Sequence, residues 1–236
     1  MGMKIWFVTF LLFSSTVFSQ ELSFTYNKQS YDAIIVNTNK ADIRMHWRDE
    51  KGLAFRSITA LKAVLTGDVL MITNGGMFQP GNVPVGLFVE NGQVIRPLDT
   101  ATDQPGNFYL LPNGVFYIDK KGPHVTANFK EQEVRFATQS GPMLVIDGQI
   151  HPLFKQGSPN LNLRSGVGIM PDGSVVFVIS KSNQTNFYDL AVIFRDKFGC
   201  KNALYLDGAI SKMYLKESRK DDMGGDFGVM ISVVKK

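Results

Sequence analysis

Asn-Gly and Asp-Gly pairs punctuate the sequence, and four of them, Asn91-Gly92, Asn113-Gly114, Asp147-Gly148 and Asp172-Gly173, stand between strand-like segments that are apolar, β-branched or aromatic. Such pairs tolerate the positive φ of a tight hairpin turn, and the strands a hairpin joins are antiparallel. Comparable strand-like runs recur as YDAIIV, DIRMHW, VLMIT, VGLFV, NFYLL, GVFYID, MLVI, SVVFVIS, ALYL and GVMISVV. Two stretches carry a helical period instead. In SITALKAVLTG, residues 57 to 67, Ile58, Leu61, Val64 and Leu65 share one face, with Ser57 as cap and Gly67 past the end. In NFYDLAVIFRDKFGC, Asn186 caps a stripe of Phe187, Leu190, Ala191, Phe194 and Phe198, and Gly199 supplies the stop. The pattern predicts an α+β fold: a strand-rich, mixed but largely antiparallel sheet with about two helices packed on it. No Pro-rich or Gly/Ser-rich linker interrupts the chain and no period of 20 to 50 residues repeats, so residues 20 to 236 read as a single domain.

The first nineteen residues read differently. Lys4 precedes the apolar run IWFVTFLLF, and Val17 and Ser19 suit cleavage before Gln20, as in a secretory signal peptide. The run is shorter than the roughly 20 residues that span a bilayer, so the expected product is exported, periplasmic or secreted, with no stable membrane anchor after cleavage. Loss of Lys4 lowers the formal charge from +4 to +3. Lys and Arg are scattered, and KESRKDD at 216 to 222 mixes both signs, which argues against a nucleic acid partner. The single Cys, Cys200, excludes an internal disulfide and reads as a buried thiol. His46, His124 and His151 stand in separate regions, without zinc-site spacing.

Four polar, glycine-bearing segments can carry chemistry. Asp207 ends the apolar run ALYL, and a carboxylate there must be hydrated, paired or hydrogen-bonded. With Gly208, Ser211 and Lys212 after it, Asp207 can serve as general base, nucleophile or metal ligand; an Asp-Gly hairpin turn like the four above accounts for the local pattern equally well. TNGGMF places Asn74, Gly75 and Gly76 where exposed amides can form an anion nest, or an ordinary turn, and Phe78 where it can stack on a sugar or join the core. ATQSGPMLV holds Ser140 and Gly141 before a strand; the hydroxyl is a donor, a nucleophile or simply structural. NLNLRSGVG sets Arg164 and Ser165 at a strand entrance, where a guanidinium fork fits phosphate oxygens or pairs with an acid.

Taken in order, NGGMF, PVGLFVENGQ, TQSGPMLVIDGQI, RSGVGIMPDGSVVFVIS and ALYLDGAISKMY resemble the phosphodiester glycosidase family, in its exported bacterial branch, over roughly residues 70 to 215. The resemblance implies hydrolysis of a sugar-1-phosphodiester on a small molecule or glycan. It implies that Asp207 activates water or stabilises charge at the sugar carbon, that Arg164 and the amides around Gly75 and Gly76 hold the phosphate, and that Ser140 and Asn74 orient oxygens. Phe78, Gly141, Ser165, Gly208, Ser211 and Lys212 then contact substrate. A divalent metal is compatible with this chemistry, although no ligand spacing for one is present. Many family members continue the last motif as Leu-Asp-Gly-Gly-Gly-Ser, whereas this chain has Ala209 and Ile210 in place of the second and third glycines. That departure keeps a second expectation open, a glycan- or sugar-phosphate-binding protein without turnover.

Overall fold

The computed structural model describes residues 19–130 and 132–236; the apolar leader, apart from Ser19, lies outside the described residues. The chain begins with strands β1 (Ser19–Tyr26), β2 (Gln29–Val36) and β3 (Ala41–His46), helix α1 (Ile58–Val64), and β4 (Val69–Asn74). Short strands follow: β5 (Phe78–Gln79), β6 (Val83–Pro84), β7 (Phe88–Glu90), β8 (Gln93–Arg96), β9 (Gly114–Asp119) and β10 (Gly122–Thr126). Then come β11 (Phe136–Ser140), β12 (Met143–Ile146), β13 (Gln149–Ile150), β14 (Ser165–Ile169) and β15 (Val175–Ser180). Helix α2 (Phe187–Val192) runs into a π-helical turn, Ile193–Lys197, before β16 (Ala203–Asp207), β17 (Met213–Leu215) and β18 (Met230–Lys235).

The strands form a seven-stranded sheet in the order β1-β2-β15-β14-β16-β12-β13, a five-stranded sheet β10-β9-β11-β7-β8, a four-stranded sheet β17-β4-β18-β3, and the pair β5-β6. Each pairing among the described residues is antiparallel, as the turn pairs lead one to expect. Side-chain alternation then decides what each face buries. Along β15, Val175, Phe177 and Ile179 enter a central cluster, while Val176 and Val178 face the layer covered by α2. Residues of all three large sheets meet in that central cluster, among them Phe177, Phe116 and Ile231. Burying each such side chain contributes roughly 1.5–3 kcal/mol. On the far side of the four-stranded sheet, Ile58 and Leu61 of α1 pack against Ile72, Tyr214 and Met230.

Both helices start and stop as the sequence predicts. Ser57 Oγ accepts from Ala60 N at 3.2 Å and Asn186 Oδ1 from Asp189 N at 2.8 Å, and Gly67 and Gly199 follow with positive φ. Val64 departs from its expected buried place: it is 58% exposed at the last turn of α1. Asn91-Gly92 and Asp147-Gly148 form hairpins with positive φ at both residues, and Asp172-Gly173 turns β14 into β15.

Two expectations fail locally. Asn113-Gly114 is no hairpin: Gly114 already lies in β9, where a β-carbon would strike Met143 and Thr126 O. NFYLL is not a strand. It forms a 3-10 turn, Asn107–Tyr109, with Phe108 buried. Among the described residues no helix is long and apolar enough to cross a membrane. Cys200 is buried, and desolvation pushes its thiol up to about 12.

Candidate active site

Strand β16, between β14 and β12 in the seven-stranded sheet, ends at Asp207, and a β-bulge aims it. Gly166 of β14 pairs with Tyr205, yet the next residue, Ser165, pairs with Asp207, so Leu206 is the extra residue. Without the bulge, Asp207 would share a face with Tyr205, under α2. With it, the carboxylate stands opposite Ser165. Asp207 is partly buried, and desolvation pushes its carboxyl up to about 6, the Gly208 N–H donation to Oδ1 at 2.6 Å offsetting part of that rise.

Around it lies a buried polar network. Asn74, at the tip of β4, donates from Nδ2 to Ser165 Oγ at 3.2 Å, and Ser165 Oγ shares a hydrogen bond with Ser211 Oγ at 2.9 Å. Asn74 Oδ1 accepts from Lys212 N at 3.2 Å, and the Thr73 hydroxyl donates to Lys212 O at 2.8 Å. Asn74 and Ser211 are 2% exposed and Ser165 is fully buried, so each bond stands in a low-dielectric setting. Residues 208 to 211 close as a turn, Ser211 N donating to Gly208 O at 2.7 Å, with Ala209 and Ile210 exposed at its centre. Neither of these has a positive φ, so this backbone needs no glycine at either position.

Ser140, at the end of β11, donates to Leu206 O at 2.9 Å and is fully buried. One strand end from each large sheet therefore meets here: Asp207 from the seven-stranded, Asn74 from the four-stranded and Ser140 from the five-stranded. The other sequence-derived candidates are employed elsewhere. Gly75 N donates to Val229 O at 2.8 Å and Gly76 N to Thr138 Oγ1 at 3.3 Å, so neither amide is open to an anion. Both glycines are there for close packing, since a β-carbon would strike Val229 at Gly75 and Gln139 O at Gly76. Gly141, in a cis Gly141-Pro142 peptide, packs beneath Phe108 O and Asn113. Phe78 is partly buried on Gly228.

Arg164 precedes Ser165 on β14 and so points to the opposite face. Its guanidinium lies 3.6 Å from the Phe187 ring centroid. It donates to Thr185 O at 2.8 Å, Asn160 O at 2.9 Å, Asn160 Oδ1 at 3.0 Å and Tyr205 Oη at 3.2 Å. Four of its five N–H groups are thus engaged on the face away from Ser165, a direction that alternation alone could have revealed. Lys212 Nζ donates to Asp222 Oδ1 at 2.7 Å, and Asp222 also pairs with Arg219 at 2.8 Å. Sequence reasoning passed over Asp222 and Tyr205. The first lies in the charge-mixed run at 216 to 222, and the second reads as an ordinary strand aromatic. Among the described residues no three His, Cys, Asp or Glu side chains are grouped to hold a metal ion.

A family model described as phosphodiester glycosidase matches residues 67–228. The chain belongs to this family. The phosphodiester glycosidase match spans every element just described around Asp207, from β4 to the loop before β18. An Escherichia coli (strain K12) relative, the uncharacterized protein YigE, is 39% identical over 209 residues, covering 86% of this chain and 82% of its own. Two solved structures share the fold. The catalytic domain of zebrafish N-acetylglucosamine-1-phosphodiester alpha-N-acetylglucosaminidase, auto-inhibited by its pro-peptide, superposes with a TM-score of 0.67 at 15% identity, covering 94% of this chain and 85% of that one. A hypothetical protein from Synechocystis gives 0.58 at 12% identity, covering 92% of this chain and 62% of that one.

Proposed function

We propose that residues 20 to 236 form an exported phosphodiester glycosidase that hydrolyses a sugar-1-phosphodiester of a glycan or related envelope molecule. Membership of the family supports the reaction class. The observation that carries the assignment to this site is Asp207: a desolvated carboxyl raised to about 6, aimed by a bulge and backed by the Asn74–Ser165–Ser211 network. A value near 6 suits a general base at neutral pH, ionised yet basic enough to take a proton. Gly208 N–H occupies Oδ1, leaving Oδ2 to accept a proton from water. The water oxygen bonds to the sugar carbon, the bond from that carbon to the phosphate oxygen breaks, and a phosphomonoester leaves with the electron pair.

Phosphate recognition then falls to groups the sequence did not favour. In this reading the exposed turn at Ala209 and Ile210 offers its amides, and the Lys212 ammonium, its side chain 40% exposed, exchanges Asp222 for the diester. Arg164 and Ser140 support the site from beneath instead of touching substrate. The test is hydrolysis of a panel of sugar-1-phosphodiesters in isotopically labelled water, with Asp207→Asn as control. Label in the sugar and loss of turnover in the variant are expected. Label in the phosphate would move the attack to phosphorus.

The internal employment of Arg164, Ser140, Gly75 and Gly76 favours a second reading, sugar-phosphate binding without turnover. Saturable binding with no cleavage across the panel, with and without divalent metal, would establish it.

A further inference from the structure

Arg164 is a buried charge that direct phosphate binding does not explain. It is 1% exposed, and all four of its acceptors are neutral oxygens. A guanidinium is costly to bury among neutral partners, and here two aromatic faces, Phe187 and Tyr205, supply the rest of its surroundings. Of its partners, Tyr205 leads toward the reacting group. The phenol oxygen accepts from Arg164, which turns its own proton to the other side of that oxygen. Gly208 lies close to that oxygen: a methyl placed on it would collide with the Tyr205 hydroxyl before any other atom. Gly208 N in turn holds Asp207 Oδ1 at 2.6 Å. An unbroken line of contacts thus runs from Arg164 through the Tyr205 hydroxyl and Gly208 to the Asp207 carboxylate.

We propose that Tyr205, locked in place by Arg164, is a positioning residue for Asp207, its hydroxyl being the stop on which the Asp207–Gly208 peptide rests. Its consequence for turnover rests on the reading of Asp207 as the general base; its consequence for the turn does not. Glycine at 208 follows from this contact, because any side chain would push the peptide off the hydroxyl. Ala209 and Ile210, exposed beyond it, meet no such limit.

Tyr205→Phe is the informative variant, since the ring keeps its contact with Phe187 at 4.8 Å between centroids. Tyr31→Phe is the control: it removes another buried hydroxyl of the same apolar layer, one bonded to Thr185 at 3.1 Å. Hydrogen exchange on the mature chain should show the Gly208 and Ser211 amides speeding up by roughly tenfold in Tyr205→Phe and not in Tyr31→Phe, as the turn loses the atom it rests on. The double variant Tyr205→Phe with Gly208→Ala should melt higher than Gly208→Ala alone, because the methyl then finds room. In the diester assay Tyr205→Phe should lower kcat by roughly tenfold and leave KM unchanged. Unchanged exchange in the turn, or no recovery in the double variant, overturns the contact whether or not the chain cleaves a diester. A loosened turn with undiminished kcat in an active enzyme overturns the positioning role.

Discussion

Replacing Asp207 by Asn separates stability from chemistry in one substitution. The side chain keeps its shape and its hydrogen bond from Gly208 N, and loses only its charge. In the folded chain the carboxyl titrates near 6 against an ordinary 3.8, because burial disfavours the ionised form. Between these values the folded state holds the proton more tightly than the unfolded chain does, so stability falls as pH rises through that window. Above about pH 6 the full penalty is in force, and an interval of this width corresponds to at most about 3 kcal/mol. Partial solvent contact reduces it to about 1–2 kcal/mol, or roughly 2–8 °C in Tm for a chain of this length. Asn carries no such penalty. Thermal melts should therefore nearly coincide at pH 4 and separate by pH 8, with the variant the more stable, while diester hydrolysis is lost. The parent's kcat/KM should rise with pH through about 6 and then level off. A Tm gap that stays flat with pH would show an ordinarily solvated carboxylate, and the assignment of Asp207 as base would fall with it.

Three further outcomes test the frame that holds this group. Gly76→Ala drives a methyl into Gln139 O and Thr138 Oγ1 and should cost roughly 1–3 kcal/mol by urea denaturation; an unaffected midpoint would mean that β4 and β11 can move apart freely. Gln139 accepts from Leu87 N and Asp99 N and donates to Asp99 O and Asn113 Oδ1, so Gln139→Ala should loosen residues 97 to 113 and expose them to limited proteolysis. Asp32 is 2% exposed and lies between Lys181 at 2.9 Å and Arg219 at 3.0 Å. Burial raises its carboxyl, but the bonds from Ser23, Lys181 and Arg219 outweigh this and hold it below the ordinary range. Its stabilisation is thus present above about pH 4 and lost as pH falls through the depressed value. Asp32→Asn should cost roughly 3–5 kcal/mol at neutral pH and flatten the acid limb of the stability curve.

The fold was legible because its signals are local. Ser57 and Asn186 cap, Gly67 and Gly199 stop, and Asn91-Gly92 and Asp147-Gly148 turn, each through chemistry confined to a few residues. The first hairpin escaped notice because Asn27 and Lys28 both adopt positive φ without a glycine, their strands supplying the register. NFYLL misled because its composition suits a strand, whereas burying Phe108 takes a 3-10 turn. In the site, residue types were easier to read than roles. Gly75 and Gly76 look alike as an anion nest and as packing glycines until Val229 and Gln139 are seen against them. Arg164 looks like a phosphate fork until alternation along β14 turns it away from Ser165. The bulge at Leu206 leaves no mark in the sequence, and it decides which way Asp207 faces.

The placement of the site follows from how the sheets close on one another. Three sheets share one apolar cluster, and at one end of it their strand tips leave polar atoms that water cannot reach. Those atoms satisfy one another across sheets: Asn74 to Ser165 from four strands to seven, Ser140 to Leu206 from five to seven, Gly76 to Thr138 from the tail of the four to the five. Each bond is ordinary alone, worth about 1 kcal/mol. Together they fix three independently built elements to one another at the point where Asp207 emerges. A carboxylate so placed has little freedom to relax into solvent, which keeps its proton affinity high and its direction constant. Shifting any one sheet by a fraction of a hydrogen-bond length would disturb two of the three contacts at once. Substitutions deep in the β4, β11 or β14 tips should therefore reduce turnover out of proportion to their effect on stability.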